Sequence, residues 1–179
     1  QPDYQPMLGY PIAHTPGTNG RQDLSVVIAT IKTKDDLKKY RGKLKGKAVL
    51  SSPMPYVDQE RYRSGRPRYT QEELKEIANN PFPDPPRPPR PPANPDLVSA
   101  VDRNTFYKKE GVAVILESRS GWIAAVRGFA RPGAKKDLYD RHATLNHLPI
   151  VAVTPEHYNR MYRTLEKNIP VKIAIEIET

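Results

Sequence analysis

Nine of the chain's 20 prolines fall between Pro81 and Pro95, in the run PFPDPPRPPRPPANP, and no other feature restricts the fold as strongly. Proline holds φ near one value and has no N–H to donate, so this run can be neither a helix interior nor a central strand. It is expected as polyproline II or as an irregular surface excursion. The core must therefore be assembled from the stretches on either side of it. Neither stretch holds enough strand-like runs for a closed core, so both are expected to contribute to one domain spanning 1–179, with 81–95 as a long loop inside it.

Before the tract, Leu24-Ser-Val-Val-Ile-Ala-Thr-Ile31 and Lys47-Ala-Val-Leu50 are β-branched runs that read as strands. Between them, Thr33 with Asp35 and Asp36 offers an N-cap and first-turn acids to a short helix that should stop at Gly42. Thr70 and Glu73 have capping-box spacing, Tyr69 and Leu74 stand where a hydrophobic staple would put them, and a small helix is expected over 71–79. After the tract, Asn94-Pro95-Asp96 predicts the start of a helix of about four turns that ends at Gly111. Val112-Ala-Val-Ile-Leu116 reads as a strand covered on both faces, and Trp122-Ile-Ala-Ala-Val126 as a strand that could pair with it. Pro149-Ile-Val-Ala-Val153 runs into Thr154-Pro155-Glu156, a strong helix start. Tyr158, Met161, Tyr162 and Leu165 then form an i, i+3, i+4, i+7 stripe. The near-alternation of Val171-Lys-Ile-Ala-Ile-Glu-Ile-Glu178 predicts a strand with one dry face. The expected class is mixed α/β (α+β), with the runs at 47–50, 112–116, 150–153 and 171–177 in one sheet system packed by helices at 95–110 and 155–168.

With 179 residues the chain is long enough to bury a core, and the apolar runs recur too regularly for wholesale disorder despite a hydrophobic content of 37%. No stretch approaches the roughly 20 apolar residues that span a bilayer, and no signal-peptide core follows Gln1. The chain is expected to be soluble as given, without a membrane partner, and its start at Gln1 reads as that of a trimmed or excised piece. It contains no Cys, which removes disulfides and thiol nucleophiles from consideration.

Motifs for catalysis are missing: there is no GxSxG elbow, no phosphate-cradling glycine loop and no dinucleotide fingerprint. His142 and His147 are five apart in a loop-like stretch, while His14 and His157 lie in unrelated segments, so surface or second-layer roles suit them better than zinc ligation. His157, third in its helix, is expected to be a first-turn spectator. The carboxylates stand beside lysines or at helix starts, where capping explains them. No catalytic, cofactor-binding or metal-binding residue is assigned.

The net charge of +9 could attract a polyanion. Eight Lys or Arg lie between Lys32 and Lys47, and Arg61, Arg63, Arg66 and Arg68 are interleaved with Tyr56, Tyr62 and Tyr69. No recognition helix or RNA-binding motif accompanies them, so a solvated face is the simpler reading and nucleic acid is not the expected partner. Pro85-Pro-Arg-Pro-Pro-Arg90 fits PxxPxR, a spacing that a proline-rich loop produces readily by chance.

Four segments in order, Pro11-Ile-Ala-His-Thr-Pro-Gly-Thr-Asn-Gly20, Tyr40-Arg-Gly-Lys-Leu-Lys-Gly-Lys-Ala-Val-Leu50, Glu110-Gly-Val-Ala-Val-Ile-Leu116 and Leu148-Pro-Ile-Val-Ala-Val-Thr-Pro-Glu-His157, carry a family resemblance. Together they resemble a protease-associated domain, in the version inserted in bacterial zinc aminopeptidases related to glutamate carboxypeptidase, metallopeptidase family twenty-eight. A similar proline-arginine loop occurs there. The likeness covers nearly the whole chain. Val112 replaces the small residue that usually follows the helix-ending glycine.

The resemblance implies a small mixed sheet or partly open barrel with flanking helices, with 47–50, 112–116 and 150–154 on its strands. It also implies a non-catalytic module that packs on or lids a zinc peptidase in the same chain, or meets peptide and protein substrates, in a secreted or periplasmic setting. The peptidase core of that family holds two zincs with a His-x-Asp pair and further ligands. None of the four histidines here has Asp two residues on, so zinc is expected in the parent and no cofactor in these 179 residues. A basic polyanion-binding module and a small stand-alone hydrolase are the alternatives.

Overall fold

The apolar runs on the two sides of the proline tract become neighbours in one sheet. The computed structural model describes residues 4–57, 69–79, 94–118, 131–133, 140, 142 and 146–178. In chain order these form β1 (Gly9–Pro11), β2 (Gln22–Ile28), α1 (Lys34–Tyr40), β3 (Ala48–Leu50), α2 (Gln71–Asn79), α3 (Ala100–Lys109), β4 (Val114–Glu117), β5 (Ile150–Val153), α4 (Pro155–Glu166) and β6 (Lys172–Ile175). The sheet order is β1-β5-β4-β3-β2-β6. Strands β2, β3, β4 and β5 run parallel, while β1 and β6 close the two sides antiparallel. Helices α1, α3 and α4 lie in the unit built from the stretches before 58 and after 95. Helix α2 belongs to a second unit within 58–95.

Both faces of the central strands are covered, which is why these strands read as unbroken apolar runs. Ala48, Leu50, Val114, Leu116, Val151 and Val153 point to one face, where Tyr158 and Met161 of α4 and Ile173 of β6 complete a buried cluster. Val49, Ile115, Ile150 and Ala152 point to the other, against Tyr107 of α3 and Leu44, with Leu37 of α1 at its margin. The expected stripe on α4 is the buried one, with Tyr162 and Leu165 packed at its edge. Strand β6 buries Ile173 and exposes Lys172 and Ala174, the predicted one-sided pattern.

Several local signals act as read. Thr70 and Glu73 form a reciprocal capping box: the Thr70 N–H donates to the Glu73 carboxylate at 2.7 Å, and the Glu73 N–H donates to Thr70 Oγ1 at 3.2 Å. Glycine 111 stands at φ +72°, the left-handed geometry that ends α3 without a Cβ penalty. The start of α3 is a correction. Asn94-Pro95-Asp96 does not begin the helix, because the next residues are used in pairing: Lys34 N–H donates to Asp96 O at 3.1 Å and Val98 N–H to Lys32 O at 2.9 Å. The cap is Ser99, whose Oγ accepts from the Asp102 N–H at 3.1 Å, so α3 has 10 residues instead of about four turns. Strand β1 has no counterpart among the sequence expectations. The strand expected at 122–126, most of the proline tract (81–93), the cluster Arg61 to Arg68 and Tyr62 lie outside the described residues.

At the start of α1, Asp36 Oδ2 accepts the N–H groups of Lys32 and Thr33, each at 2.9 Å, and the Thr33 hydroxyl at 3.2 Å. These donors hold the Asp36 carboxyl below its ordinary value, the backbone N–H of Thr33 contributing most. Asp36→Asn is expected to cost about 1 kcal/mol near neutral pH, the usual worth of a cap partly screened by solvent. A folded pKa below the unfolded one stabilises above the unfolded value and ceases to do so as pH falls through the folded value. The gap between parent and variant in urea melts should therefore close in acid, and a gap unchanged by pH would show that ionised Asp36 is not responsible.

Candidate functional site

The parallel strands β3, β4 and β5 all point their carboxyl ends the same way, and polar residues collect there because the ladders stop. Beyond Leu50 come Ser51 and Ser52, beyond β4 comes Ser118, and beyond Val153 comes Thr154, the residue that caps α4. Tyr158 ties this end together: its hydroxyl donates to the Ser52 carbonyl at 2.6 Å and accepts the Ser52 N–H at 3.0 Å. Burial pushes its phenol up to about 12, so the group works as a neutral hydroxyl. On the opposite face the hydroxyl of Tyr107 donates to the Ala29 carbonyl and is also held protonated by burial.

His157 is not a spectator, and this corrects the sequence reading. Its Nδ1 accepts the Leu8 N–H at 3.2 Å and lies 2.9 Å from Thr154 Oγ1. Through this ring nitrogen the imidazole clips the chain before β1 to the first turn of α4. The partner is 149 residues away in sequence, which is why no local pattern announced it. The other histidines stand apart: His14 lies in a turn at φ +60°, the His142 N–H donates to Asp140 Oδ1 at 2.8 Å, and His147 borders a cavity beside α3. Among the described residues, no group of three or more His, Cys, Asp or Glu is placed to hold a metal ion.

Two extended segments flank the amino end of α4. Residues 4–8 are held through Leu8 to His157 and through Gln5 to Arg160; residues 52–57 are held through Ser52 to Tyr158 and through the Pro55 carbonyl to Asn159 Nδ2 at 3.1 Å. Their backbones are tied down while their large side chains face outward: Tyr4 is 86% exposed and Tyr56 83%, with Leu8 and Met54 also exposed. Exposed apolar and aromatic side chains on tethered backbone are the composition of a surface that a partner covers. These exposed side chains on the two segments beside α4 are the candidate interaction surface, and sequence patterning missed them because the segments lie about 50 positions apart.

The basic stretch takes a different form. From Lys32 to Lys45 its cations are exposed along α1 and the turns after it, with Lys38 paired to Asp35 at 2.9 Å and Lys39 over the ring of Tyr40. That is the solvated face expected of such a run. No helix among the described residues is long and apolar enough to cross a membrane.

No protein-family model and no curated protein sequence matches the chain. Solved structures do. The fold is similar to an aminopeptidase from Aneurinibacillus sp. strain AM-1, with a TM-score of 0.53 and 11% identity, over 95% of this chain and 27% of that one. It is also similar to a zinc aminopeptidase from Bacillus subtilis, with a TM-score of 0.51 and 10% identity, over 96% of this chain and 28% of that one. A peptidase M28 precursor from Shewanella amazonensis gives a TM-score of 0.50 and 16% identity, over 99% of this chain and 32% of that one. At such identities the likeness defines a fold: a mixed α/β arrangement that recurs within peptidase chains. The present chain spans about 30% of the length of those proteins.

Proposed function

We propose that the chain is a non-catalytic protease-associated domain of a larger zinc aminopeptidase or carboxypeptidase, packing on or covering the catalytic domain of the same chain. One observation carries the reading: at least 95% of this chain is matched within each of three peptidases, of which it accounts for at most 32%. A piece matched so completely by a minor part of a longer enzyme is what a module looks like. In this reading residues 1–179 form one module with the proline-rich stretch at 81–95 as a surface excursion. The patch of Tyr4, Leu8, Met54 and Tyr56 faces the catalytic domain or its substrate, zinc belongs to the rest of the enzyme, and the protein works in a secreted or periplasmic setting.

The test compares the 179-residue chain with the longer gene product in an aminoacyl-nitroanilide assay and a calorimetric zinc titration. The chain alone is expected to show no turnover and no stoichiometric zinc binding, and the longer product to show both. Hydrogen exchange at residues 4–8 and 52–57 should slow in the longer product. Turnover by the chain alone that is abolished by His142→Ala would make it the small hydrolase instead.

A further inference from the structure

One edge of the sheet is left open. Strand β6 stands at the end of the order, with β2 on one side and, among the described residues, no strand on the other. Which of its backbone groups face outward follows from the register. Val26 N–H donates to Val171 O at 2.9 Å, so Val171 is a hydrogen-bonded position, and antiparallel alternation makes Ile173 and Ile175 the next ones, opposite Leu24 and Gln22. Ile177 continues the inward set: its N–H donates to Thr18 Oγ1 and its carbonyl accepts the Thr18 N–H, each at 2.9 Å. The N–H and C=O groups of Lys172, Ala174 and Glu176 therefore point away from β2, and all three residues are exposed.

An open edge is a template for another strand, and proteins usually blunt it with charge or proline. Here the charges are spaced so that they can pair. Lys172 and Glu176 lie on the solvent face, roughly 13 Å apart at the usual rise of a strand, too far to meet each other. Neither has an ion-pair partner among the described residues. Ala174 stands between them. The other face of the same strand carries buried Ile173 and Ile177, with Val171 and Ile175 half-buried at the margin of the core cluster.

We infer that this edge binds a second copy of the chain, β6 pairing antiparallel with its counterpart about a two-fold axis at Ala174. Antiparallel pairing reverses the order of the second strand, so Ala174 meets Ala174, Lys172 meets Glu176 of the other copy, and Glu176 meets its Lys172. All of these are outward-facing positions, so each pair can exchange both of its backbone bonds. The same two side chains thus supply two opposite-charge pairs, and the half-buried Val171 and Ile175 gain apolar neighbours across the axis. An in-register parallel pairing would instead set Lys172 against Lys172 and Glu176 against Glu176. The ladder also has a built-in end, because the residue opposite Glu178 is Pro170, which has no N–H to donate. The inference uses none of the side chains of the candidate surface beside α4 and stands whether or not the chain belongs to a peptidase.

The experiment is sedimentation equilibrium of the 179-residue chain, with amide hydrogen exchange read at the same concentrations. An interface of one strand pair is at the weak end of specific association, so the mass is expected to rise from monomer toward dimer over roughly 10 µM to 1 mM. Exchange at Lys172, Ala174 and Glu176 should slow in step with it. Lys172→Glu and Glu176→Lys should each weaken the dimer about tenfold or more, because each replaces both attractive pairs by repulsive ones. The double variant restores the pairs in reverse and should recover the parental affinity to within about threefold. An equal mixture of the two single variants should associate as well, since one edge then carries only Glu and the other only Lys at these positions. Both positions are exposed, so the melting temperature of the dilute chain should not change. A chain that stays monomeric to about 1 mM, a dimer without protection at Lys172, Ala174 and Glu176, or one indifferent to the single reversals or not rescued by the double reversal would each overturn the assignment.

Discussion

Leu116→Ala is expected to cost about 3–4 kcal/mol, the largest effect of any single truncation considered for this chain. Leu116 is fully buried in β4, in the middle of the sheet, and its register partners are Leu50 on one side and Val151 on the other. All three belong to the cluster beneath Tyr158 and Met161 of α4. Removing the side chain there leaves a cavity between strands fixed by ladder bonds on both sides, so little relaxation can fill it. For a domain of this size the melting temperature should fall by roughly 8–15 °C. Urea denaturation gives the direct measure, with an unchanged slope indicating that the same surface unfolds. Leu97→Ala serves as the control: that side chain is 57% exposed, and its loss should stay within about 0.5 kcal/mol. A loss at Leu116 below about 1 kcal/mol would mean that the sheet is not packed as described.

The second large effect appears in alkali. Tyr158 has its folded phenol pushed up to about 12 by burial, and burial raises Tyr107 as well. Each hydroxyl is also a fixed donor, to the Ser52 carbonyl and the Ala29 carbonyl. A folded pKa above the unfolded one gives stability that is complete below the unfolded value, near 10 for tyrosine, and that is lost as pH rises toward the folded value. Stability should therefore be flat to about pH 9 and then fall by about 1.4 kcal/mol per pH unit for each of the two tyrosines. Tyr158→Phe is expected to lose about 1–2 kcal/mol at neutral pH, because the Ser52 backbone groups lose their partner, and to halve the alkaline slope. Urea melts at stepped pH, paired with phenolate absorbance of the folded protein, measure both. An alkaline slope that survives Tyr158→Phe and Tyr107→Phe together would place its origin elsewhere.

These expectations bear on the proposed role. A domain that packs on an enzyme needs a rigid interior to hold its outer side chains. In this fold the bonds from Tyr158 and His157 connect the core to the segments carrying Tyr56 and Leu8. Tyr158→Phe therefore weakens the same end of the sheet that presents the candidate surface, and it should loosen residues 52–57 before the rest of the domain.

Short-range chemistry was legible in the linear sequence. The limits of α2, the stop of α3 at Gly111, the cap of α4 at Thr154 and the buried stripe on α4 depend on residues within a few positions of one another, and each is where its motif puts it. The two-sided burial of most of β4 was readable because the run 112–116 has no polar position, although Glu117 at its end is buried too. What tertiary structure alone decided depends on partners far along the chain. Periodicity identifies a strand but not its neighbour, so the order β1-β5-β4-β3-β2-β6 and the short edge strand at Gly9–Pro11 emerge only on folding. The strong-looking cap at Asn94 lost to backbone pairing with residues 32–34, and His157 took a role set by Leu8, 149 residues away. The cavity beside α3 brings Val101 and Lys108 together with Leu148, about 40 residues further along the chain. Local propensities are worth a few tenths to one kcal/mol per residue, whereas burial and backbone pairing across the sheet together amount to many times more, so wherever the two compete the long-range contacts prevail.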